Sequence, residues 1–429
     1  MIEPGPVCYR TLAYPNSHHL STYQAIGGYE VIKDIITNQT PADTIIEAIK
    51  ASGLVGRGGA AFPSGLKMSF MPKSADTIKY LVCNSDEGEP GTSKDRFILS
   101  ENPHQLIEGL LIAAYAIGAS VVYNYLRGEF DVPYQRMEKA LEEAREQGYV
   151  GQNIFNSGLT IDIYNVSGAG SYIVGEETAM LESLEGKRAY PRAKPPFPAM
   201  SGLYGCPTTI NNTETLASLP VIIQQGPSWY KNYHSENSGG TKIFCVSGHV
   251  MRPKIMELPL GIPFTELLDK VGGIRDGNRL KAVIPGGSSM KILPAEVMLN
   301  IHMDYASLKA AGSAIGTGAV IVLDETCCMV EILTCLMNFY KHESCGQCTP
   351  CREGTPWIYR TLIELLNGKS SVAAVESLCR IAGNIEGKTI CAFGEAVAWP
   401  VTSFLQHFSD EFIYFAEHGH SMVKGRKKS

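Results

Sequence analysis

An alternation of strand-like and helix-like segments over residues 66–219 constrains the fold of this chain more than any other feature. Helical stretches lie near residues 104–117 and from Pro133, a good first helical residue, to about residue 147. Before, between and after them lie segments rich in β-branched and aromatic residues, IKYLVCN, GASVVYNYL and GLTIDIYNV. Such alternation predicts an α/β layer with a largely parallel sheet.

The remainder of the chain changes pattern twice. A loop-rich stretch, GPSWYKNYHSENSGG at residues 226–240, indicates a domain boundary. Short strand signals and one helix signal come next, which predict a small sheet packed with one helix. After Asp324, four segments carry apolar residues at three- and four-residue spacing. They predict an antiparallel four-helix bundle.

Composition indicates a soluble globular protein. The 429 residues are 44% hydrophobic and 19% charged, and the net charge of -6 argues against nucleic acid as a partner. The basic end VKGRKKS is most simply a solvated tail, and MIEPGPVCYR lacks the pattern of a signal peptide. LIEGLLIAAYAIGASVVYNYL contains Glu108 and Gly118, so we expect a buried helix and a strand rather than a membrane span. Membrane association would therefore come only through partner subunits.

Eight of the twelve cysteines fall between Cys327 and Cys391, which favours a metal site over a disulfide framework. Cys345, Cys348 and Cys351 have C-x-x-C-x-x-C spacing between two helical segments. Iron–sulfur cubes are commonly bound by such a run plus one distant cysteine. Zinc is the weaker alternative, because its usual sites pair two C-x-x-C hairpins and only one is present.

The fourth cluster ligand has to come from the other cysteines. Cys335 and Cys379 lie within apolar helical segments, where we expect buried thiols. Cys391 lies in GKTICAFGEA, a turn with glycines on both sides. We therefore predict Cys391 as the fourth ligand.

Two glycine-rich loops are candidates for phosphate or ring binding. Gly56-x-Gly58-x-x-Ala61 superficially matches a dinucleotide fingerprint, but the preceding segment is helical and Pro63 interrupts the segment after the glycines, so the ordinary Rossmann interpretation fails. Lys67 nearby could offset phosphate charge. A flexible surface loop is the plain alternative.

The second glycine loop, NVSGAGSYIVGEETAMLESLEG, ends in a helix whose first turn holds Glu176 and Glu177. Those carboxylates could simply favour the positive helix end. An acidic loop, CNSDEGEPGTSKDR, and the polar segment CPTTINNTETLASLP lie in the same α/β layer. Because such sheets bind ligands at the carboxyl ends of their strands, the four segments together predict a site for a phosphate-bearing ligand.

These motifs, with PRAKPPFPAMSGLYGCPTTINNTET and ESCGQCTPCREG, resemble the NADH-binding flavoprotein subunit of respiratory complex I over nearly the whole chain. The resemblance implies FMN, NADH as substrate and one [4Fe-4S] cluster. It also implies a Rossmann-like flavin domain, a ubiquitin-like β-grasp domain and a cluster-bearing helical bundle. We place these at residues 66–239, 240–324 and 325–429, after an N-terminal segment at 1–65.

The resemblance also assigns site residues. It implies that FMN is held by Gly56, Gly58, Lys67, Asn84, Asp86, Glu87, Gly175, Asn211, Asn212 and Thr215. It implies that NADH meets Phe62, Phe70, Glu89, Glu176, Glu177, Lys194 and Phe197. Phe62 and Phe70 could instead be core residues, although adenine stacking suits them. No side chain is expected to act as nucleophile or general base.

Two positions depart from the family pattern. Ala61 stands where the family usually has glycine, and we expect a negative φ there because of its methyl group. Met68 stands where an aromatic residue is frequent.

Partners and rivals are implied by the same resemblance. It implies a thioredoxin-like [2Fe-2S] partner, other peripheral-arm subunits, and a cytoplasmic place on the inner face of the plasma membrane. Glu177, helped by Glu176 and Glu89, is expected to favour NADH over NADPH by repelling a 2′-phosphate. The rival functions are a flavoprotein subunit of an NAD-linked hydrogenase or formate dehydrogenase, and a non-catalytic binding module with the same fold.

Overall fold

The computed structural model describes residues 2–74, 77–231 and 239–423, and it divides into two compact units. The first unit comprises Met1–Gly88, Thr92–Cys245 and Ile255–Gly261. The second comprises Glu89–Gly91, Val246–Lys254 and Ile262–Ser429. Part of the predicted boundary loop at 226–240 and nearly all of the basic tail lie outside the described residues.

The first unit contains a four-stranded parallel sheet, as predicted. Its strands are β1 Tyr80–Ser85, β2 Val121–Leu126, β3 Asp162–Ser167 and β4 Thr208–Asn212, in the order β3-β2-β1-β4. All three neighbouring pairs are parallel. The first strand begins two residues later than Ile78, where the apolar run starts, and extends into the polar loop beyond it.

Helices precede, separate and follow these four strands along the chain. They are α1 Leu20–Ala25, α2 Glu30–Thr37, α3 Ala42–Ala51, α4 Ser64–Ser69, α5 Asp95–Glu101, α6 Pro103–Ile117, α7 Asp131–Glu146, α8 Glu177–Leu184, α9 Thr213–Ala217, α10 Leu219–Gln225 and α11 Pro227–Lys231. The most apolar segment forms the buried helix α6 and strand β2, which confirms the prediction. Among the described residues, we find no helix with both the length and the apolar character needed to cross a bilayer.

One face of the sheet forms the core of the first unit. Leu81, Val122 and Ile163 are neighbours in register on three adjacent strands, and each is fully buried. They belong to the same apolar cluster as Leu110 of α6 and Leu141 of α7. Because successive side chains alternate between the faces of a strand, this register places one set of side chains against the helices of the core.

The strand order creates a crevice at the end of the sheet. The chain runs outward from β1 to β2 and β3 and then returns to pair β4 with the other side of β1. Asn84 near the end of β1 is in register with Asn212 at the end of β4. A reversal of this kind leaves space at the carboxyl ends of β1 and β4, where doubly wound sheets bind ligands.

A second sheet has the order β6-β5-β9-β7-β8. Its strands are β5 Thr241–Gly248, β6 Lys254–Pro259, β7 Leu280–Ile284, β8 Leu293–Pro294 and β9 Ala319–Asp324, and β7 is antiparallel to both β8 and β9. We predicted one helix in this region. The structure contains three, α12 Phe264–Lys270, α13 Ala295–Met298 and α14 Tyr305–Ala310.

The C-terminal region is helical, as predicted. Helices α15 Met329–Glu343, α16 Thr349–Leu366, α17 Val372–Ile385 and α18 Phe393–His418 each contact the next, and α15 also contacts α18. The expectation that Cys335 and Cys379 are buried is wrong, because both are exposed. On α17 the buried stripe runs through Val375, Leu378 and Ala382, so position 379 lies beside the stripe and not within it.

Candidate functional site

The crevice between β1 and β4 joins three of the predicted ligand loops. The side-chain amide of Asn84 donates to the carbonyl of Gly175 at 2.8 Å. Asn212 donates to the carbonyl of Asn84 at 3.3 Å. A Cβ added at Gly175 would lie 3.5 Å from the carbonyl oxygen of Asp86, so the chain passes close to the acidic loop here. The structure therefore brings these four predicted residues together.

The first glycine loop closes onto the same crevice. The amide of Gly56 donates to the carbonyl of Phe62 at 2.8 Å, and the amide of Arg57 donates to Oγ1 of Thr215 at 2.8 Å. A Cβ at Gly58 would lie 3.1 Å from Cβ of Asn212, which is tight contact. Glycine at position 58 thus lets the backbone approach the end of β4.

Ala61 contradicts its predicted backbone conformation. Its φ is +54°, in the left-handed region, although we expected a negative value. The hydrogen bond from Gly56 to Phe62 closes a tight loop around this position, and this closure sets the positive φ despite the cost of the methyl group. Met68, the other departure, is buried.

A network of buried charges lies next to the crevice. The ammonium of Lys94 contacts Asp95 at 2.7 Å, Asn212 at 3.0 Å and Glu214 at 3.1 Å. Lys242 contacts the same carboxylate oxygen of Glu214 at 2.6 Å. Burial by itself favours neutral Lys94, but Asp95 and Glu214 overcome it and raise the pKa of Lys94 above its ordinary value. The sequence analysis missed Lys94, Glu214 and Lys242. A lysine inside the apolar strand TKIFCVSG was the available signal, since an unpaired buried ammonium is costly.

The two adjacent asparagines have different roles. The Asn212 oxygen accepts from Lys94 and from the amide of Glu214, while its nitrogen donates to Asp95 and to Asn84. These four bonds exhaust an asparagine side chain, so Asn212 links β1, β4 and α9. The buried side-chain nitrogen of Asn211 has no hydrogen-bond partner among the described residues. Asn211 therefore offers a donor to a ligand.

Glu87 also has a structural task. Its carboxylate accepts hydrogen bonds from the amides of Lys94 and Asp95 at 2.8 Å and of Arg96 at 3.2 Å, at the start of α5. Burial, followed by the nearby Asp95 carboxylate, raises the pKa of Glu87 to about 7. Its role as a flavin neighbour stays a prediction.

Glu176 and Glu177 form an ion cluster with two lysines. Glu177 contacts Lys67 at 2.8 Å and Lys194 at 2.6 Å, and Glu176 lies 3.5 Å from Lys194. Burial opposes ionisation, but Lys67 and then Lys194 hold the pKa of Glu177 down to about 2. Glu176 is the N-cap of α8 and accepts the amides of Thr178 and Ala179. The helix-end alternative thus describes Glu176, whereas Glu177 pairs with side chains.

The predicted aromatic residues lie at the surface. Phe62 and Phe70 are 45% and 51% exposed, their ring centroids are 6.2 Å apart, and Phe197 is 58% exposed. Such exposure excludes the alternative that Phe62 and Phe70 are core residues. Glu89 belongs to the second unit, where its carboxylate accepts hydrogen bonds from Ser289 at 2.8 Å and Ser288 at 3.1 Å.

These observations fit a flat, phosphate-bearing cofactor in the first unit. Gly56, Gly58 and Gly175 keep side chains out of the crevice, and Asn211 supplies an unused buried donor. Lys67 is held by Glu177, two residues after Gly175. Ligand sites in such sheets need this combination of close backbone approach and a few placed polar groups.

The four predicted cluster cysteines lie around one end of α16. Cys348 is the residue before the helix and Cys351 lies in its first turn. The sulfur of Cys348 accepts the amide of Ile390 at 3.4 Å, which places the turn containing Cys391 against it. Burial raises the pKa of the Cys351 thiol, and the neighbouring Cys345 and Cys348 raise it further. Convergent thiols of this kind suit an iron–sulfur cluster.

Comparison with known families assigns most of the chain. A family model for the Nuo51 FMN-binding domain matches residues 49–221. A model for the NADH-ubiquinone oxidoreductase-F iron-sulfur binding region matches residues 331–414. An SLBB domain model matches residues 242–322. The two cofactor-related regions coincide with the crevice and with the cysteine-bearing helices.

Individual relatives cover nearly the full chain. One of the NADH-quinone oxidoreductase F subunits of Rhizobium meliloti (strain 1021) is 49% identical over 413 residues, 96% of this chain and 98% of the relative. The corresponding F subunit of Rickettsia bellii (strain OSU 85-389) is 50% identical over 96% of this chain and 99% of its own. A crystal structure of an NAD+-reducing [NiFe]-hydrogenase in the H2-reduced state superposes with a TM-score of 0.84 at 33% identity, over 97% of this chain and 68% of that one. With about half of its residues shared over almost the entire length of both sequences, this chain belongs to the family of NADH-quinone oxidoreductase F subunits.

Proposed function

We propose that this protein is the NADH-oxidising subunit of an NADH:quinone oxidoreductase of the complex I type. The observation that carries the proposal is the convergence of four ligand loops at the β1–β4 crevice, in a chain that also bears convergent cysteines. When bound, FMN would supply the chemistry that takes up a hydride from NADH and passes single electrons to a [4Fe-4S] cluster and towards quinone.

The crevice residues would hold FMN by shape and by hydrogen bonds. Gly56, Gly58 and Gly175 allow backbone groups close to the ligand, and the unused side-chain nitrogen of Asn211 would donate to it. Asn84 and Asn212 fix the relative positions of the loops. Asp86 and Thr215 lie in the same set of loops.

The charged edge and the exposed aromatic residues would bind NADH. Phe62 and Phe70 present exposed rings on which adenine can stack. The proposed NADH contacts Lys194, Glu176 and Glu177 share one ion cluster with Lys67, which we propose as an FMN contact. Hydride transfer needs no protein acid or base, so these residues bind and orient. Phe197 and Glu89 remain proposed contacts of the same substrate.

The [4Fe-4S] cluster would be held by four cysteine thiolates. Cys345, Cys348 and Cys351 supply the C-x-x-C-x-x-C run, and Cys391 is the proposed fourth ligand because its turn lies against Cys348. Cys379 and Cys335 are on exposed flanks of their helices.

The chain divides into four segments in this proposal. They are an N-terminal segment at 1–65, an FMN- and NADH-binding domain at 66–239, a ubiquitin-like β-grasp domain at 240–324 and the cluster-bearing helices at 325–429. The SLBB match over residues 242–322 supports the third segment.

Partners and location complete the proposal. We expect a thioredoxin-like [2Fe-2S] subunit and other peripheral-arm subunits, with the protein on the cytoplasmic face of the membrane and attached only through them. The relatives are named as subunits of a quinone oxidoreductase, which supports membership of a larger assembly. Absence of a [2Fe-2S] subunit from native complexes would contradict the partner assignment.

An absorption spectrum tests the central function. The purified chain with its cofactors should show a flavin band that bleaches on addition of NADH, and it should reduce ferricyanide with NADH. Asn211→Leu removes the unused donor with little change in side-chain volume, and we expect it to retain less flavin than the unmodified chain. A protein that retains flavin but is not bleached by NADH would contradict the proposal and would favour the non-catalytic binding module.

A flavoprotein subunit of an NAD-linked hydrogenase is the second candidate. The structural similarity to an NAD+-reducing [NiFe]-hydrogenase supports it, although the relatives at 49% and 50% identity are quinone oxidoreductase subunits. A formate dehydrogenase subunit is the third. Co-purification from the source separates the three, since quinone-module subunits, a hydrogenase or a formate dehydrogenase would be recovered.

A further inference from the structure

Three different metal-binding side chains meet in the second unit, away from the C-x-x-C-x-x-C run in sequence. His249 lies just after β5, Asp324 ends β9, and Cys327 lies just before α15. One donor atom from each of the three lies within 4.8 Å of the other two. None of these residues belongs to the predicted FMN, NADH or cluster sites.

The donor atoms converge on one ring nitrogen. Nδ1 of His249 lies 2.7 Å from Oδ1 of Asp324 and 3.3 Å from the sulfur of Cys327. A single proton on that nitrogen can be donated to only one of these two acceptors, and without a proton the nitrogen accepts from the backbone N–H of Asp324 at 3.4 Å. A cation placed between the three donor atoms would bind the nitrogen, the carboxylate oxygen and the sulfur at once. We propose that His249, Asp324 and Cys327 bind one divalent metal ion of the zinc class.

The donor set selects the class of ion. Magnesium and calcium prefer oxygen ligands, whereas a set of one nitrogen, one oxygen and one sulfur suits zinc and its chemical relatives. Three protein ligands leave a fourth tetrahedral position for water. Because zinc ligands lie about 2.0–2.3 Å from the ion, the nitrogen and oxygen must move apart to about 3.3 Å when it binds.

Surrounding residues orient the ligands. Asp324 is fully buried and accepts hydrogen bonds from Asn278 at 3.0 Å and from Thr326 at 2.5 and 3.0 Å. Lys281 donates to the carbonyl of Cys327 at 2.6 Å. Outer contacts of this kind fix the geometry of metal ligands. The His249 side chain is 16% exposed, which leaves a path for a hydrated ion.

Arg275 competes with the ion. Its Nη2 lies 3.1 Å from Nε2 of His249 and its Nε lies 3.5 Å from Oδ2 of Asp324. Metal on Nδ1 requires the imidazole proton on Nε2, where it faces the guanidinium N–H. Binding therefore turns this 32% exposed side chain toward solvent and releases the Cys327 thiol proton to water. Loss of the Arg275 charge should tighten the site.

Cobalt titration of the full-length, iron-loaded chain tests the site. Co²⁺ is the probe because its bond to a thiolate gives a charge-transfer band, and iron is counted in the same samples. We expect one Co²⁺ per chain beyond the iron, displaced by Zn²⁺. Cys327→Ser should abolish the band and raise the dissociation constant for Co²⁺ more than tenfold. Loss of a ligand should cost at least as much affinity as loss of a residue that only orients a ligand, which is about tenfold or more. Cys328→Ser, a change at an adjacent buried cysteine outside the group, should leave both unchanged.

Two further variants make the result independent of folding. His249→Gln changes a partly exposed side chain and should weaken Co²⁺ binding as Cys327→Ser does, while Arg275→Gln should strengthen it. No Co²⁺ beyond the iron in the unmodified chain, equal effects of Cys327→Ser and Cys328→Ser, or weaker binding in Arg275→Gln would each overturn the proposal. Flavin bleaching by NADH is read separately, so failure here leaves the proposed function intact.

Discussion

The ammonium of Lys94 lies 3.0 Å from the side-chain oxygen of Asn212, the asparagine that ties β1 to β4. Lys242 is buried to the same degree and shares Glu214 with Lys94, but its other contact is the carbonyl of Ile243. The two lysines can therefore be compared directly, because both are buried and bind Glu214 but only Lys94 contacts Asn212.

Lys94→Met should weaken FMN binding about tenfold or more, because Asn212 loses one of its four bonds and Asp95 loses its cation. Lys242→Met should change FMN affinity less than about twofold. Both should lower stability, by roughly 3–5 kcal/mol for a broken buried pair. Flavin fluorescence gives the affinity and thermal melting gives the stability. Equal losses of affinity would assign Lys94 a purely structural role.

Glu177→Gln should improve the use of NADPH relative to NADH by roughly ten- to a hundredfold, about 1–3 kcal/mol. The variant leaves Lys67 and Lys194 without their shared carboxylate, and their charge then attracts a 2′-phosphate. Steady-state kcat/KM with each cofactor measures the ratio. Glu182→Gln, on the same helix and paired with Arg192, is the control. An unchanged ratio for Glu177→Gln would leave Glu177 with its ion pairs to Lys67 and Lys194 but no part in cofactor selection.

Glu87→Gln should flatten the pH dependence of thermal stability between about pH 4.5 and 7. The folded-state pKa of Glu87 is raised from 4.5 to about 7, so its contribution to stability is complete below about pH 4.5 and is lost as the pH rises through 7. Melting temperatures across this range provide the test, with Glu101→Gln at the end of α5 as control. A slope unchanged in Glu87→Gln would show that Glu87 does not titrate in this window.

Cys391→Ser should remove or alter the EPR signal of the reduced cluster, because a serine replaces one thiolate ligand. Cys379→Ser should leave the signal intact, since Cys379 is exposed on the flank of α17. The reverse pattern would assign the fourth ligand to Cys379. Iron content per chain accompanies each spectrum.

Ala61→Gly should stabilise the chain by up to about 1 kcal/mol, because glycine relieves the left-handed backbone while adding some disorder to the unfolded state. Ala60→Gly is the neighbouring control, and should cost about 0.4–1 kcal/mol since position 60 has no positive φ to relieve. Thermal melting of both variants decides the sign. Destabilisation by Ala61→Gly would refute a strained alanine.

Local pattern was enough to predict the α/β layer and the helical C-terminal region. The β-branched segments became β1, β2 and β3, and the apolar segment around Leu110 became α6, because composition and periodicity act within a few residues. Glycines at 56, 58 and 175 marked loops that meet at one crevice.

Contacts between distant segments were beyond such patterns. The Lys94–Glu214–Lys242 network depends on how three separate segments pack, and no local pattern reports that packing. Ala61 was misjudged because loop closure at Phe62 sets its φ. Cys379 was misjudged because apolar surroundings in sequence did not show which side of α17 it occupies.

The return of β4 to β1 determines the order in which the crevice can form during synthesis of the chain. The hydrogen bond between Asn212 and Asn84 spans 128 positions of sequence, and Asn211 and Thr215 lie in the same late segment. A nascent chain that has emerged only through β3 has one side of β1 unpaired and lacks the β4 side of the crevice in which we propose that FMN binds. Cofactor loading therefore has to wait until translation has passed β4 and α9, and flavin retention marks chains that have completed this step.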